Sequence, residues 1–408
     1  MKKFLKLLVS ASMLFTLAAC GNGGADTPKA PETVTLKVWA SQEDQTVTQE
    51  MIDAYIEAQK ETYPDTTFDI TLAVVSEADA KTKYLEDPAA AADVFTFAND
   101  QLTDLVNAGA LAEVTRNKED IIARNGEGSI GSATKGEALY AYPMTADNGY
   151  FLYYNKEVIT DPTSLDAILK DANAAGKKVF MDVSNGWYIA SFFLGNGGTL
   201  AVDAEGNQTC DFNNEKGLAA AEAIKAFTAD PAFLTGDDAV LNSGFQDGSV
   251  VAGVSGVWNA ETMMNNLGDN YAATKLPTFT VGGEQVQMSS FGGYKLIGVN
   301  SQTKAEFTVF AMDLADWLTN ETNQVKRFEA RGYGPSNTKA AASDAVQANV
   351  ALAALSLQSQ YAVSQNDVLG QYWAPAEAFG TTMEAKDYST PMQELLDTMV
   401  TQITTPAQ

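Results

Sequence analysis

The chain has 408 residues, 45% hydrophobic and 19% charged, a balance that suits one large or two ordinary folded domains and excludes a disordered chain. Its formal charge of −26 disfavours nucleic acid and anionic lipid surfaces as partners. It contains no histidine, which excludes Ser-His-Asp and Cys-His catalysis and every metal site that needs imidazole.

The N-terminus reads as a processing signal. Lys2, Lys3 and Lys6 precede an apolar run, Leu7 to Leu17, too short to span a bilayer comfortably. Leu17-Ala18-Ala19-Cys20-Gly21 resembles a lipobox, so residues 1–19 are expected to be a lipoprotein signal peptide and Cys20 the lipid-modified N-terminus. Residues 20–33, rich in Gly, Pro and Ala, read as a tether. Removing the three leader lysines takes the charge from −26 to −29. Only Cys210 then remains, so no internal disulfide is expected.

Val34 to Trp39 alternates as a first strand, and Val47, Met51, Tyr55 and Ala58 mark one face of a helix. "FDITLAVV" (68–75) is a second strand, and Ser76 with Asp79 reads as a capping box. "DVFTF" (93–97) is a third strand, followed by a helix capped by Asn99 or Asp100 and ended by Gly109. Further on, a helix runs from Ser164 to Gly176, a strand over 178–183, a helix from Trp187 to Leu194 and a strand over 249–256. Val281-Gly282-Gly283-Glu284 is a hairpin candidate, and 294–300 a strand. From Lys304 the chain reads as mostly helical, including a long Ala-rich stretch near 338–363, with Pro335 as a break and a last helix near 391–402. This alternation predicts an α/β fold with a largely parallel sheet. Trp39 and Trp317 read as core. No phosphate-binding loop or dinucleotide fingerprint is present, and no cofactor is expected.

"YPMTADNGYFLYYNKE" (142–157) reads two ways. Asn148-Gly149 between aromatic runs is a hairpin signal. The same stretch can be one path that leaves a first structural unit and enters a second.

Five stretches in order resemble the extracellular solute-binding proteins of sugar ATP-binding-cassette importers, the maltose- and maltodextrin-binding group in particular. They are "LKVWASQED" (36–44), "AADVFTFANDQLTDLVNAGALAEVT" (91–115), "ALYAYPMTADNGYFLYYNKEVI" (138–159), "GVSGVWNAETM" (253–263) and "RFEARGYGPSNTKA" (327–340). The resemblance implies a two-lobed periplasmic-binding-protein-like α/β fold with the ligand cleft between lobes. It implies about three hinge crossings, near 145–150, 291–296 and 331–337, which favours the crossing reading of 142–157. Lobe 1 would comprise 34–146 plus 295–332, and lobe 2 would comprise 147–294 plus 333–408.

Carried over position by position, the resemblance points to Glu43, Asp44, Phe97, Asp100, Gln101, Asp147, Asn185, Trp187, Tyr188, Trp258, Tyr372 and Trp373 as ligand-binding residues. Phe97 stands where a tryptophan platform is common, Gln101 where arginine is frequent and Asn185 where glutamate is. The implied ligand is a malto-oligosaccharide, maltotriose or longer. The implied partners are the membrane permease subunits and the membrane, through the lipid on Cys20, at the outer face of the cytoplasmic membrane. The implied state is a monomer without enzymatic activity. Two other readings stay open: a carboxylate-pair glycosidase using Asp147 with Asp100, and a binder of another oligosaccharide or a cationic solute such as a polyamine.

Overall fold

The computed structural model describes residues 30–406. The signal peptide, Cys20 and most of the tether lie outside the described residues.

Two sheets organise the chain. In the first, Thr33–Ala40 pairs in parallel with Thr67–Val74 on one side and with Val94–Ala98 on the other. Ser290–Val299 then pairs antiparallel with Val94–Ala98 and Ala141–Gly149, and in parallel with Ala362–Ser364. In the second sheet the order is Phe233–Leu234, Lys178–Phe180, Val250–Ser255, Phe151–Asn155, Tyr271–Thr274. Both sheets are mixed, which corrects the expectation of a largely parallel sheet. Parallel neighbours need a crossover within one unit. Phe151–Asn155 and Ser290–Val299 instead arrive from the other sheet's side, and both run antiparallel to neighbours.

The stretch 142–157 is not a hairpin. Ala141–Gly149 pairs in the first sheet and Phe151–Asn155 in the second. Tyr142 and Met144 lie in the first sheet's core, Tyr150 and Leu152 in the second's. Ser290–Val299 passes between the same cores in reverse, with Phe291 in one and Leu296 and Ile297 in the other. Along Phe151–Asn155 the period-two alternation feeds two cores at once. Tyr150 and Leu152 face one, and Phe151 and Tyr153 the other, with Phe180, Phe245 and Tyr333.

The three segments expected to cross lie side by side. Gly292 and Gly293 register with Gly149 and Asn148, and Thr145 bridges to Pro335. Gly332 ends the helix Glu321–Arg331 in the left-handed conformation, at φ 70°. At Gly293 the need is space, because a Cβ would lie 2.6 Å from Asn99 Oδ1. The short strand Ala362–Ser364 joins the first sheet although its sequence position suggested the second lobe.

Local signals explain several element ends. Ser76 and Asp79 form half of the expected box: Asp79 N–H donates to Ser76 Oγ at 3.1 Å, while the Asp79 carboxylate accepts from the Ser76 hydroxyl instead of its backbone N–H. The hairpin at 281–284 turns through Gly282 and Gly283, both at positive φ. The expected long helix near 338–363 is three short ones, Thr338–Ala341, Asp344–Gln347 and Val350–Ser359. Asn337, Ser343 and Asn349 each accept a backbone N–H at a helix start, so side-chain caps restart the helix twice. Helices Glu215–Ala229 and Trp373–Glu384 go beyond the sequence reading; the first does carry a local signal, since Asn214 caps it by accepting from Gly217 N–H.

Candidate functional site: a polar and aromatic cleft between the two sheets

Turns that follow the strands supply the groups facing the cleft. In the first lobe, Thr33–Ala40 leads into the turn Gln42–Asp44, and Val94–Ala98 into Asn99–Gln101. In the second, Val250–Ser255 leads into the turn Val257–Asn259, which carries Trp258. The helix Gly186–Gly195 opens with Trp187 and Tyr188.

Trp187 and Trp258 have ring centroids 5.9 Å apart, and Trp187 meets the edge of Tyr150 at 4.5 Å. Both tryptophans are only partly buried. Trp258 Nε1 donates to Asp238 Oδ2 at 2.9 Å, fixing its ring plane. Trp187 Nε1 donates to Gln365 Oε1 at 3.0 Å, and Gln365 Nε2 donates to Asp100 Oδ1 at 2.7 Å. Gln365 thereby ties a first-lobe carboxylate to a second-lobe indole. Burial pushes the Asp100 carboxyl up to about 7, against the lowering effects of the Gln365 hydrogen bond and the Lys81 charge.

Deeper, Lys295 is 5% exposed and lies 3.7 Å from Glu77 Oε1. Its ammonium sits 4.8 Å from the Tyr333 ring and 5.6 Å from the Trp258 ring. Asp147, 1% exposed, accepts from Gly334 N–H at 2.6 Å through Oδ2. Burial raises the pKa values of Glu77 and Asp147, and the Lys295 charge opposes the rise in both. Burial alone would lower Lys295; the negative surroundings, Glu77 first and then Asp147 and Glu43, outweigh it, and the ammonium is held more firmly than usual.

The lobes touch across this cleft. Arg331 donates to Glu261 at 2.7 Å and to the Trp258 carbonyl at 3.4 Å.

The residues singled out in the sequence divide into several groups. Trp187, Trp258, Asp100 and Asp147 meet around the cleft, as described. Asp100 was also a candidate helix cap; it caps nothing, and its carboxylate faces Gln365. Glu43 is exposed beside this group. Asp44 is 1% exposed and paired with Arg327 at 3.2 Å, which joins the first turn to the helix Glu321–Arg331. Phe97 has no exposed surface and packs against Phe95 within the first core, which corrects its reading as a platform, since a stacking face must be open to ligand. Gln101 is also corrected. Its amide donates to the Glu77 and Ala78 carbonyls and accepts from Lys81 N–H, so all its polar atoms hold the neighbouring loop.

In the second lobe, Asn185 is exposed and caps its helix by accepting from Trp187 N–H. Tyr188 is 7% exposed against Tyr150. Tyr372 is buried and donates to the Gly186 carbonyl at 2.9 Å, a core role that leaves no face for a ligand. Trp373, partly buried, packs edge-on to Phe291.

Lys295, Glu77, Tyr333, Gln365 and Asp238 escaped the sequence reading. Lys295 did leave a signal, a lysine inside the apolar strand "YKLIGV". Gln365 left none.

Residues 50–354 match the family described as bacterial extracellular solute-binding protein. The galactooligosaccharide-binding protein of Bacillus subtilis (strain 168) is 30% identical over 402 residues, covering 92% of this chain and 91% of that protein. A solved structure with acarbose is 31% identical, with a TM-score of 0.81, covering 91% of this chain and 98% of that one. The maltodextrin-binding protein of L. casei BL23, solved without ligand, shares the fold at 24% identity and a TM-score of 0.75, over 92% of this chain and all of that one.

Proposed function

The chain belongs to the family of bacterial extracellular solute-binding proteins, and from that premise we propose that it captures a neutral oligosaccharide between its lobes and delivers it to the permease of an ATP-binding-cassette importer. The observation that carries the proposal is the pairing of two partly exposed tryptophans, 5.9 Å apart, with a buried set of carboxylates, an amide and an ammonium. An oligosaccharide offers flat C–H faces and directional hydroxyls. Indole faces suit the first, and carboxylates that accept from adjacent hydroxyls suit the second, each such bond contributing roughly 1.5–3 kcal/mol.

Trp187 and Trp258 are proposed as platforms, with Glu43, Asp100 and Asp147 as hydroxyl acceptors. Resemblance to the maltose- and maltodextrin-binding group favours a malto-oligosaccharide of three or more units. A galacto-oligosaccharide is the second reading, favoured by the B. subtilis relative. The reading is of a site that binds without cleaving, supported by the similar proteins being named as binding proteins. Anchoring through a lipid on Cys20 would keep the protein beside the permease.

Tryptophan fluorescence tests the reading. Titration of maltotriose, and separately of a β-galactotriose, should give a saturable change with at least one. Trp258→Ala should weaken that binding by roughly tenfold or more, the loss expected of a central aromatic contact. Unchanged affinity in Trp258→Ala would remove the cleft as the binding site.

A further inference from the structure

The proposed site holds a feature that bears on what it refuses. Lys295 interrupts an apolar strand, and the register against Ala141–Gly149 shifts on both sides of it, between Gly293 and Lys295 and between Lys295 and Leu296. Such irregularities re-aim a side chain. Here the ammonium reaches a space walled by the Tyr333 and Trp258 rings and by Glu77, with Asp147 and Glu43 close enough to act on it electrostatically.

Carboxylates flanked by aromatic faces form the usual cage for an organic cation. On a chain of charge −26, an open cage of this kind would draw polyamines. In this protein the cage already contains a cation, covalently attached. Its fit also leaves polar groups free. Glu77 Oε1 at 3.7 Å is beyond hydrogen-bond reach of the ammonium. Glu77 Oε1, Asp147 Oδ1, Asp44 Oδ1 and Tyr333 Oη are buried without a hydrogen-bond partner among the described residues. Buried polar groups are nearly always satisfied, so a set of this kind suits a ligand that brings its own donors and acceptors. A neutral polyol supplies both donors and acceptors. A solute carrying its own ammonium would meet Lys295 as a like charge and would have one fewer net carboxylate to bind.

We propose that Lys295 is a built-in counter-ion that makes the cleft selective for neutral, hydroxyl-rich solutes and excludes cationic ones. The proposal rests on the oligosaccharide-binding reading and adds the identity of the residue that sets the ligand's charge class.

Calorimetry with the purified protein at low ionic strength tests it, using maltotriose, a β-galactotriose and spermidine as probes. The unaltered protein should bind a neutral trisaccharide and give no heat with spermidine. Lys295→Met should lose about tenfold or more in trisaccharide affinity, the loss expected for a charged hydrogen bond. It should also gain spermidine binding that weakens as salt is added. Lys295→Arg keeps the charge and should still refuse spermidine. If Lys295→Met does not fold, Lys295→Gln carries the same test.

Spermidine binding to the unaltered protein would overturn the proposal. So would a folded Lys295→Met or Lys295→Gln that still refuses spermidine or binds the trisaccharide unchanged. Failure of the unaltered protein to bind any neutral sugar would instead strike at the oligosaccharide reading, while the spermidine comparison would still decide the role of Lys295.

Discussion

Gln365 uses both ends of its amide across the cleft, accepting from Trp187 Nε1 and donating to Asp100 Oδ1. Asp100 is thereby oriented, and its burial raises its carboxyl from the ordinary 3.8 to about 7. A carboxyl with a folded pKa above its unfolded one binds its proton more tightly when folded. Its contribution to stability is therefore fully present below about pH 3.8 and is lost as pH rises through about 7. Asp100→Asn keeps an acceptor for Gln365 and removes the charge. It should raise the thermal midpoint at about pH 8, with the difference shrinking toward about pH 4. Thermal unfolding across that range checks this; an equal shift at all pH values would show that the charge is not the cause.

At the scale of elements, the segments 145–149 and 292–295 are adjacent strands, and the loop 333–335 joins them through a single bridge from Pro335 to Thr145. Ala146 N–H donates to the Gly334 carbonyl at 2.8 Å. Gly293 sits in these strands where a Cβ would lie 2.6 Å from Asn99 Oδ1 and 2.9 Å from Gln365 Oε1. Gly293→Ala should push Gln365 off Asp100 and Trp187 and destabilise the fold by roughly 1–3 kcal/mol, the usual range for overpacking. Urea unfolding gives the energy, and the fluorescence of Trp187 reports the displaced amide. A variant as stable as the unaltered protein, with unchanged emission, would mean the backbone gives way at no cost.

The same elements mark what the sequence could reveal. Strands such as Thr33–Ala40 and Thr67–Val74 were legible because alternation is a local property. The passage at 148–150 was not settled by local rules, since Asn-Gly suits a hairpin equally well; the order of distant motifs decided it. Phe97 and Tyr372 misled because a residue type at a family position says nothing of which way it faces, and here both point into cores. Gln365 was invisible because its role depends on three partners that lie 178 or more positions away in sequence.

At the scale of the molecule, two α/β lobes meet through side chains that would also serve a sugar: indoles, carboxylates, an amide and one enclosed ammonium. With a neutral ligand, affinity should change little with ionic strength despite the −26 charge. The central claim is binding of an intact neutral oligosaccharide, and calorimetry followed by recovery of the sugar tests it most directly. Titration with malto- and galacto-oligosaccharides should give saturable heat at one ligand per chain for at least one of the two series, and the recovered sugar should be unshortened after prolonged incubation. No heat with either series, or recovery of shorter products, would contradict the account.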